Sequence, residues 1–333
     1  MAETASQDNG VRRMTKMVVL GLGSIGLRHA QNFWNLGVPI CGYDPDSGRC
    51  NLAERAGIET TSNREEAFSG ADAVVIASPS GCHYDDLAES LDRNLHVFAE
   101  KPLAHTDVGL SAFLSGFEEK NLIVFGGFNM RYHPAFVAAR KMVADDKLGE
   151  ILWARFQMSD YLPNWRPHTD YRTGYANNPV SGGVLLDVIH EFDAANALLG
   201  PAETIAAVAR KTGSLELASE DCADVLLQHK SNVVSAIHVD FVTRPGNRHF
   251  EIAGTEGRLR VDLNARNLKF TDKSGSENSQ AFAGSSDDDY MREAEDFLHC
   301  IETGSEPACN GREALAVLQQ VLAARQLAAL PKS

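Results

Sequence analysis

The sequence has no apolar run that approaches the roughly 20 residues needed to cross a bilayer. Its amino terminus, MAETASQDNGVRRMT, has no apolar core of the kind that marks a secretory signal, so we expect residues 1–15 to form a flexible leader. The six cysteines contain no C-x-x-C pair and no spacing typical of a disulfide framework, which favours reduced thiols. These absences predict a cytoplasmic protein that has no membrane partner.

Basic residues are in deficit as well. The chain has 31 Lys and Arg against 45 Asp and Glu, for a formal net charge of -14 at pH 7. Nucleic acids and anionic membranes bind to basic faces, so we expect no nucleic-acid partner. A length of 333 residues with 44% hydrophobic content is typical of a globular protein of two domains.

A glycine-rich turn follows the first apolar segment, in KMVVLGLGSIGLRHAQNFWNLG. The spacing G-x-G-x-x-G stands between a predicted strand and a predicted helix, and a second strand ends at Asp44, as in dinucleotide-binding units. The Asp44 carboxylate can accept hydrogen bonds from ribose hydroxyls and repels a 2'-phosphate, which favours NAD over NADP. The nearby cation of Arg49 weakens that preference. In the alternative interpretation, Asp44 only caps the next helix. The predicted cofactor residues at this turn are Gly21, Gly23, Ser24, Ile25, Gly26 and Asp44.

Predicted strands and helices alternate up to about residue 130, which predicts a Rossmann domain with a doubly wound parallel sheet over residues 16–130. Ligands bind such sheets at the carboxyl ends of the strands. Lys101 emerges there beside the predicted nicotinamide site and could polarise a substrate hydroxyl; in the alternative, it is a surface lysine paired with Glu100. Two strand ends, ASPSGCHYD and FAEKPLA, extend the predicted cofactor site to Ser78, Pro79, His83, Glu100 and Lys101.

Residues 131–333 have a different pattern, with long alternating strands separated by short turns. We expect an α+β domain with an open, mostly antiparallel sheet that binds substrate and mediates self-association. The stretch SGSENSQAFAGSSDDD is predicted to be an exposed loop. Two carboxyl-terminal helices are expected to pack back on the domains.

The segment SGGVLLDVIHEFD has three ionisable groups within an apolar run. On one helix, Asp187, His190 and Asp193 would form a polar row along an inward face. Burying an ionisable group destabilises the fold unless the group is paired or has a function in binding or catalysis. The row is therefore either part of an active site or a histidine that is hydrogen-bonded to a neighbouring carboxylate. It is a poor metal site, because it has one histidine and no second cluster, and we expect no resident metal.

These segments together resemble the glucose-fructose oxidoreductase and inositol dehydrogenase (Gfo/Idh/MocA) family. The resemblance rests on GLGSIG, SPSGCHYD, EKPLA, GFNMRYHPAF and GGVLLDVIHEFD, in family order. It implies that Lys101, Asp187 and His190 line one substrate pocket and that the protein forms a homodimer or homotetramer through the open sheet. The sequence departs from the commonest family spacing, because His190 follows Asp187 by three residues instead of four.

A long aromatic and basic segment, SDYLPNWRPHTDYRTGYANNPVSGG, precedes the polar row. Aromatic rings offer flat faces to sugars, and arginine and histidine bind hydroxyls or anionic groups, so the segment is predicted to be a substrate loop; an ordinary surface loop is the alternative. The predicted substrate-binding residues are Lys101, Asn129, Arg131, Tyr161, Trp165, Arg166, His168, Tyr171, Arg172, Asp187 and His190.

The expected function is the NAD-dependent oxidation of a secondary hydroxyl of a sugar, a sugar derivative such as a sugar nucleotide or acidic sugar, or a cyclitol. His190 would act as the base, Lys101 would stabilise the alkoxide and Asp187 would orient the substrate or His190. Two alternatives stay open at this point: an NAD-dependent glycoside hydrolase that oxidises its substrate transiently, and a non-catalytic dinucleotide-binding regulator.

Overall fold

A computed structural model describes residues 15–165 and 170–330. The amino-terminal part forms a parallel sheet of six strands in the order β3-β2-β1-β4-β5-β6. This order reverses direction between β1 and β4, which is the point where doubly wound sheets bind their ligands. The strands are β1 (Met17–Leu20), β2 (Ile40–Tyr43), β3 (Glu59–Thr61), β4 (Ala73–Ile76), β5 (His96–Glu100) and β6 (Val124–Gly127).

Helices cover both faces of this sheet. Val18 and Val19 point to opposite faces of β1, and both are completely buried, as expected for a central parallel strand. The predicted Rossmann architecture is therefore confirmed. The helices are α1 (Ser24–Asn35), α2 (Ser47–Arg55), α3 (Arg64–Ala67), α4 (His83–Asp92) and α5 (Leu110–Glu119).

The second half contains an eight-stranded sheet in the order β14-β13-β12-β11-β7-β10-β9-β8. Its neighbours pair antiparallel except for β7 and β10, which run parallel. The helices that precede or interrupt the sheet are α6 (Pro134–Ala144), α7 (Leu162–Trp165), α8 (Val184–Asp187) and α9 (His190–Leu199). The strands are β7 (Ile151–Tyr161), β8 (Ala202–Arg210), β9 (Cys222–His229), β10 (Val234–Asp240), β11 (Val242–Gly254), β12 (Gly257–Asp262), β13 (Asn267–Asp272) and β14 (Glu277–Ala281).

One face of this sheet is open. Along β9, Val225 and Leu227 are buried against the helices, whereas Leu226 between them is 39% exposed. This alternation confirms the predicted open, mostly antiparallel sheet. The prediction of an exposed loop over SGSENSQAFAGSSDDD is wrong in part: residues Glu277–Ala281 pair with β13 as the edge strand β14, although every side chain in the strand is exposed.

Two long helices, α10 (Ser286–Thr303) and α11 (Gly311–Leu327), end the described chain. Phe297 of α10 packs edge-on against Phe33, Phe98 and Phe125 of the first domain, with ring centroids 5.6 to 6.0 Å apart. Helix α11 contacts both α5 of the first domain and β8 of the second sheet. Among the described residues, no helix combines the length and apolarity needed to span a membrane.

Candidate active site

The glycine turn between β1 and α1 is shaped for close approach. Gly21 has φ of +88°, a conformation that glycine adopts at little cost. A Cβ on Gly26 would lie 1.8 Å from the main-chain oxygen of Gly21, so only glycine lets the helix and the strand pack this closely. A Cβ on Gly23 would meet nothing within 4 Å, so open space lies in front of the first turn of α1.

A dinucleotide fits this turn. The first turn of α1 contains no acidic residue, and its backbone N–H groups attract negative charge, as a pyrophosphate requires. Of the predicted residues, Gly23, Ser24 and Ile25 line the cleft directly, while Gly21 and Gly26 shape the turn beneath it.

Asp44 is held at the end of β2 by main-chain donors. Its Oδ2 accepts a hydrogen bond from Leu22 N at 2.8 Å, and its Oδ1 accepts one from Asp46 N at 2.9 Å. Arg49 Nη1 lies 3.4 Å from Oδ2, and Arg49 lines the cleft. The carboxylate is therefore fixed beside the glycine turn, with a cationic group next to it. Asp46, not Asp44, caps α2, because its side chain accepts from Gly48 N.

The turns after β4 and β5 are joined by a histidine. His83 Nε2 lies 2.7 Å from the main-chain oxygen of Ser78, and its Nδ1 lies 2.9 Å from that of Pro102. The imidazole thus spans the two strand ends at which ligands bind in this fold. Ser78, Pro79 and His83 all line the cleft, and their contact with a cofactor stays a prediction.

Glu100 and Lys101 follow β5 and face different partners. Glu100 Oε1 lies 2.7 Å from His29 Nε2, and Oε2 accepts from Lys101 N at 3.1 Å. Burial raises the pKa of Glu100, but the His29 hydrogen bond and the charges of His29 and Lys101 outweigh it, so that the pKa falls below its ordinary value. Lys101 Nζ does not pair with Glu100.

Lys101 Nζ instead reaches the second domain. It donates to the main-chain oxygen of Asp187 at 2.7 Å and lies 3.4 Å from Asp187 Oδ1. Tyr175 Oη donates to the same Oδ1 at 2.7 Å, and Asp187 Oδ2 is buried with no hydrogen-bond partner among the described residues. Lys101, Tyr175 and Asp187 all line the cleft. They form a group of donor and acceptor side chains where the two domains meet.

His190 begins α9, three residues after Asp187; it is buried and is not among the residues that line the cleft. Its ring packs edge-on against Phe128 with centroids 5.5 Å apart, and its buried Nδ1 has no hydrogen-bond partner in the part of the chain that the structure describes. Burial, together with the charges of Lys101 and Arg248, lowers the pKa of His190 well below its ordinary value. The imidazole is therefore neutral at neutral pH, which is the form a general base needs.

The polar row expected on a single helix does not form. The chain leaves helical geometry at Val188, which has ψ of 41°, so Asp187 ends α8 and His190 begins α9. Asp193 points to a different partner, because both of its oxygens accept from Arg131 at 2.6 to 3.1 Å. Arg131, predicted to contact substrate, lies instead in this buried ion pair, where its side chain is 4% exposed.

The predicted substrate loop divides between cleft and surface. Trp165 lines the cleft, and its Nε1 donates to Asp160 Oδ2 at 2.8 Å. Arg172 points outward and pairs with Asp170 and Glu216. Tyr161, Tyr171 and Asn129 are partly buried outside the cleft lining. Arg166 and His168 lie outside the described residues.

Several residues of the cleft were not predicted from the sequence, and Arg28 and Tyr290 are two of them. Arg28 of α1 stands 4.7 Å over the ring of Tyr290 in α10, and both side chains line the cleft. Arg28 is one helical turn beyond Ser24, so helical spacing could have identified it. Tyr290 arrives from the far end of the chain, and no local pattern predicts its position.

These residues surround one cleft of about 730 Å³, which extends from the glycine turn to the Lys101 and Asp187 group. Its lining comes from both domains. The cleft is lined by Gly23, Ser24, Ile25, Arg28, Arg49, Ala77, Ser78, Pro79, Ser80, His83, Glu100, Lys101, Pro102, Trp165, Thr173, Gly174, Tyr175, Ser181, Gly182, Leu186, Asp187 and Tyr290.

Comparison with known proteins agrees with this architecture. Residues 15–128 match the family model described as an oxidoreductase family with an NAD-binding Rossmann fold, and residues 136–260 match the GFO/IDH/MocA C-terminal domain. The chain is 26% identical over 313 residues to myo-inositol 2-dehydrogenase of Thermotoga maritima, which covers 89% of this chain and 90% of that protein. It is 28% identical over 317 residues to inositol 2-dehydrogenase of Rhizobium meliloti, covering 90% and 92%.

Among solved structures, levoglucosan dehydrogenase in complex with NADH and levoglucosan superposes with a TM-score of 0.87 at 18% identity, covering 95% of this chain and 98% of that one. At this identity the likeness shows the fold. The two family models together span most of the sequence, from the glycine turn to β12. The chain belongs to the Gfo/Idh/MocA family of oxidoreductases with an NAD-binding Rossmann fold.

Proposed function

We propose that this protein is an NAD-dependent dehydrogenase that oxidises a secondary hydroxyl of a sugar, a sugar derivative or a cyclitol. The observation that carries the proposal is the group formed by Lys101, Asp187 and Tyr175 in the same cleft as the glycine turn. The names of the inositol dehydrogenases among its relatives support a polyhydroxylated substrate.

The proposed chemistry divides between the cofactor and the chain. When bound, NAD supplies the hydride acceptor. Lys101 stabilises the negative charge that develops on the substrate oxygen as its proton leaves, and neutral His190 accepts that proton. Asp187 holds the Lys101 ammonium in place, and its carboxylate accepts from a substrate hydroxyl.

Cofactor choice follows from the end of β2. The Asp44 carboxylate can accept from ribose hydroxyls with its remaining lone pairs, and its charge disfavours a 2'-phosphate. Arg49, which lies 3.4 Å away, partly offsets that charge. We therefore propose NAD as the preferred cofactor and NADP as a weaker one.

The decisive experiment incubates the purified protein and NAD with a panel of sugars, acidic sugars, sugar nucleotides and inositols, and records both NADH and released aglycone. A dehydrogenase accumulates NADH in proportion to product. Release of free sugar from a glycoside without NADH would support transient oxidation instead. Tight NAD binding with neither reaction across the panel would favour a non-catalytic regulator.

A further inference from the structure

A second cluster of ionisable side chains lies far from the glycine turn in sequence, on the outer face of the second sheet. In β9 and β10, Asp224 is paired in register with His238, and Cys222 is paired with Asp240. Because alternate residues of a strand share a face, these four side chains project from the same side of the sheet. One donor atom from each of Cys222, Asp224 and His238 lies within 4.8 Å of the other two.

We propose that Cys222, Asp224 and His238 form a binding site for a divalent transition-metal ion of the zinc type. Thiolate, imidazole and carboxylate are the three ligand classes that zinc takes in proteins, whereas magnesium and calcium prefer oxygen alone. Three protein ligands leave a fourth tetrahedral position for water or another ligand. The proposal does not depend on the function proposed above.

The surroundings of His238 match those of a metal-binding histidine. Its Nδ1 faces Asp224 Oδ1 at 2.8 Å, and its Nε2 faces Asp240 Oδ2 at 3.2 Å. Histidines that bind metal through one nitrogen usually donate the other N–H to a carboxylate, which fixes the orientation of the ring. Asp240 would be that outer carboxylate, with Nδ1 as the metal ligand.

Asp240 is itself held rigidly. Its side chain is 2% exposed, and it accepts hydrogen bonds from the main-chain nitrogens of Val242 and Thr243 and from Thr243 Oγ1, at 2.8 to 2.9 Å. Because these hydrogen bonds already fix the Asp240 carboxylate, it loses no further conformational entropy when a metal binds. The ring of His238 is therefore oriented before the ion arrives.

Side-chain movements of up to about 1.3 Å are needed to admit an ion, because the three donor atoms lie up to 4.8 Å apart. Zinc bonds of about 2.0 to 2.3 Å at tetrahedral angles separate the ligand atoms by roughly 3.3 to 3.6 Å. The hydrogen bond between Asp224 and His238 Nδ1 must therefore lengthen by about half an ångström. Asp224 can make this movement, because its side chain is 68% exposed.

Cobalt(II) is a suitable spectroscopic probe of these ligands. A cobalt–thiolate bond gives a charge-transfer band, and a tetrahedral site gives strong visible absorption. We expect the full-length protein, reduced and treated with a chelator that is then removed, to bind one equivalent of cobalt with both features. Zinc should displace the cobalt and abolish both.

Three variants separate the ligands from incidental surface groups. Cys222→Ser should remove the charge-transfer band, and Asp224→Asn and His238→Gln should each weaken cobalt binding more than tenfold. Cys82→Ser removes an exposed thiol elsewhere in the chain, and His249→Gln removes a partly exposed histidine from the same sheet; neither should change the spectrum.

Circular dichroism verifies that each variant is folded, and exposed Asp224 provides a test even if substitution at Cys222 perturbs the strand. The proposal is overturned if the wild-type protein shows no thiolate band, if the band persists in Cys222→Ser, or if Cys82→Ser removes it. It is also overturned if folded Asp224→Asn and His238→Gln bind cobalt as tightly as the wild-type protein does.

Discussion

Lys101 and Asp187 are 86 residues apart in the chain, and Lys101 Nζ lies 2.7 Å from the main-chain oxygen of Asp187. This contact joins the end of β5 in the first domain to the end of α8 in the second. It places Lys101, the lysine of the EKP motif, beside the apolar segment SGGVLLDVIHEFD and so gives the buried carboxylate of Asp187 a charged partner. The proposed catalytic group therefore depends on both domains.

The first prediction concerns the Lys101 ammonium. Lys101→Met keeps most of the side-chain volume but removes the charge, so kcat should fall about 100- to 1,000-fold, as when one donor to a developing oxyanion is lost. Lys141→Met is the matched control, because Lys141 pairs with Asp145 on the surface of α6. Steady-state kinetics with the substrate found in the panel measures both. Similar rates in the two variants would contradict the proposed role.

The second prediction concerns His190 as a base. Because the pKa of His190 lies well below its ordinary value, the oxidation rate should be constant through neutral pH and decrease only in acid, as the imidazole gains a proton. His190→Asn should lose about 100- to 10,000-fold in kcat while NAD still binds. The pH–rate profile and NAD binding by fluorescence provide the two measurements, and His249→Asn serves as the control.

If His190→Asn keeps normal turnover and an unchanged profile, His190 is a packed core histidine. The base must then be sought among the groups that line the cleft. Lys101 and Tyr175 are the first candidates, since both contact Asp187.

The third prediction concerns cofactor choice. Asp44→Ser removes a charged acceptor from the ribose site, so NAD affinity should decrease about 10- to 100-fold while NADP affinity increases. Arg49→Ala in the Asp44→Ser background should cancel the gain for NADP, because it removes the nearby cation. Calorimetric titration with both cofactors tests this. Tighter binding of NADP than NAD by the unmodified protein would be the contrary result.

The fourth prediction separates structure from substrate binding at Arg131. Arg131→Met leaves the carboxylate of Asp193 buried without its partner, which should lower the free energy of unfolding by about 3 to 5 kcal/mol. KM should stay nearly constant, because the guanidinium is occupied by Asp193. Urea denaturation and substrate kinetics measure the two effects. A large increase in KM with little loss of stability would restore the role that the sequence suggested.

Much of the first domain was predictable because its signals are local. The glycine spacing, the apolar strands and the acidic residue at the end of β2 all lie within one βαβ unit, where 3.6-residue and 2-residue periods reveal the elements. Motifs in the sequence also predicted that Lys101 and Asp187 line one pocket, and both line the cleft, whereas their catalytic roles stay predictions. Their mutual contact follows from the way the domains pack, which no periodicity encodes.

The remaining errors share a physical cause. Helical spacing alone placed Asp187, His190 and Asp193 on one face, but the break at Val188 rotates the later residues away. Asp193 then pairs with Arg131, a partner 62 residues earlier. In the same way, the cluster of Cys222 with Asp224 and His238 exists only because β9 and β10 pair in one register. These sites are formed by contacts between segments that are distant in the chain, and the local sequence pattern does not predict such contacts.

The packing of Phe297 has a consequence for how this protein is made. Phe297 completes the aromatic cluster around Phe98 and Phe125, beneath the first sheet. During synthesis, the first domain leaves the ribosome before α10 does. Until α10 has been made, the apolar surface around Phe98 and Phe125 is not covered by Phe297. A fragment that stops at about residue 130 should therefore aggregate rather than bind dinucleotide, because it lacks the helix that covers this apolar surface.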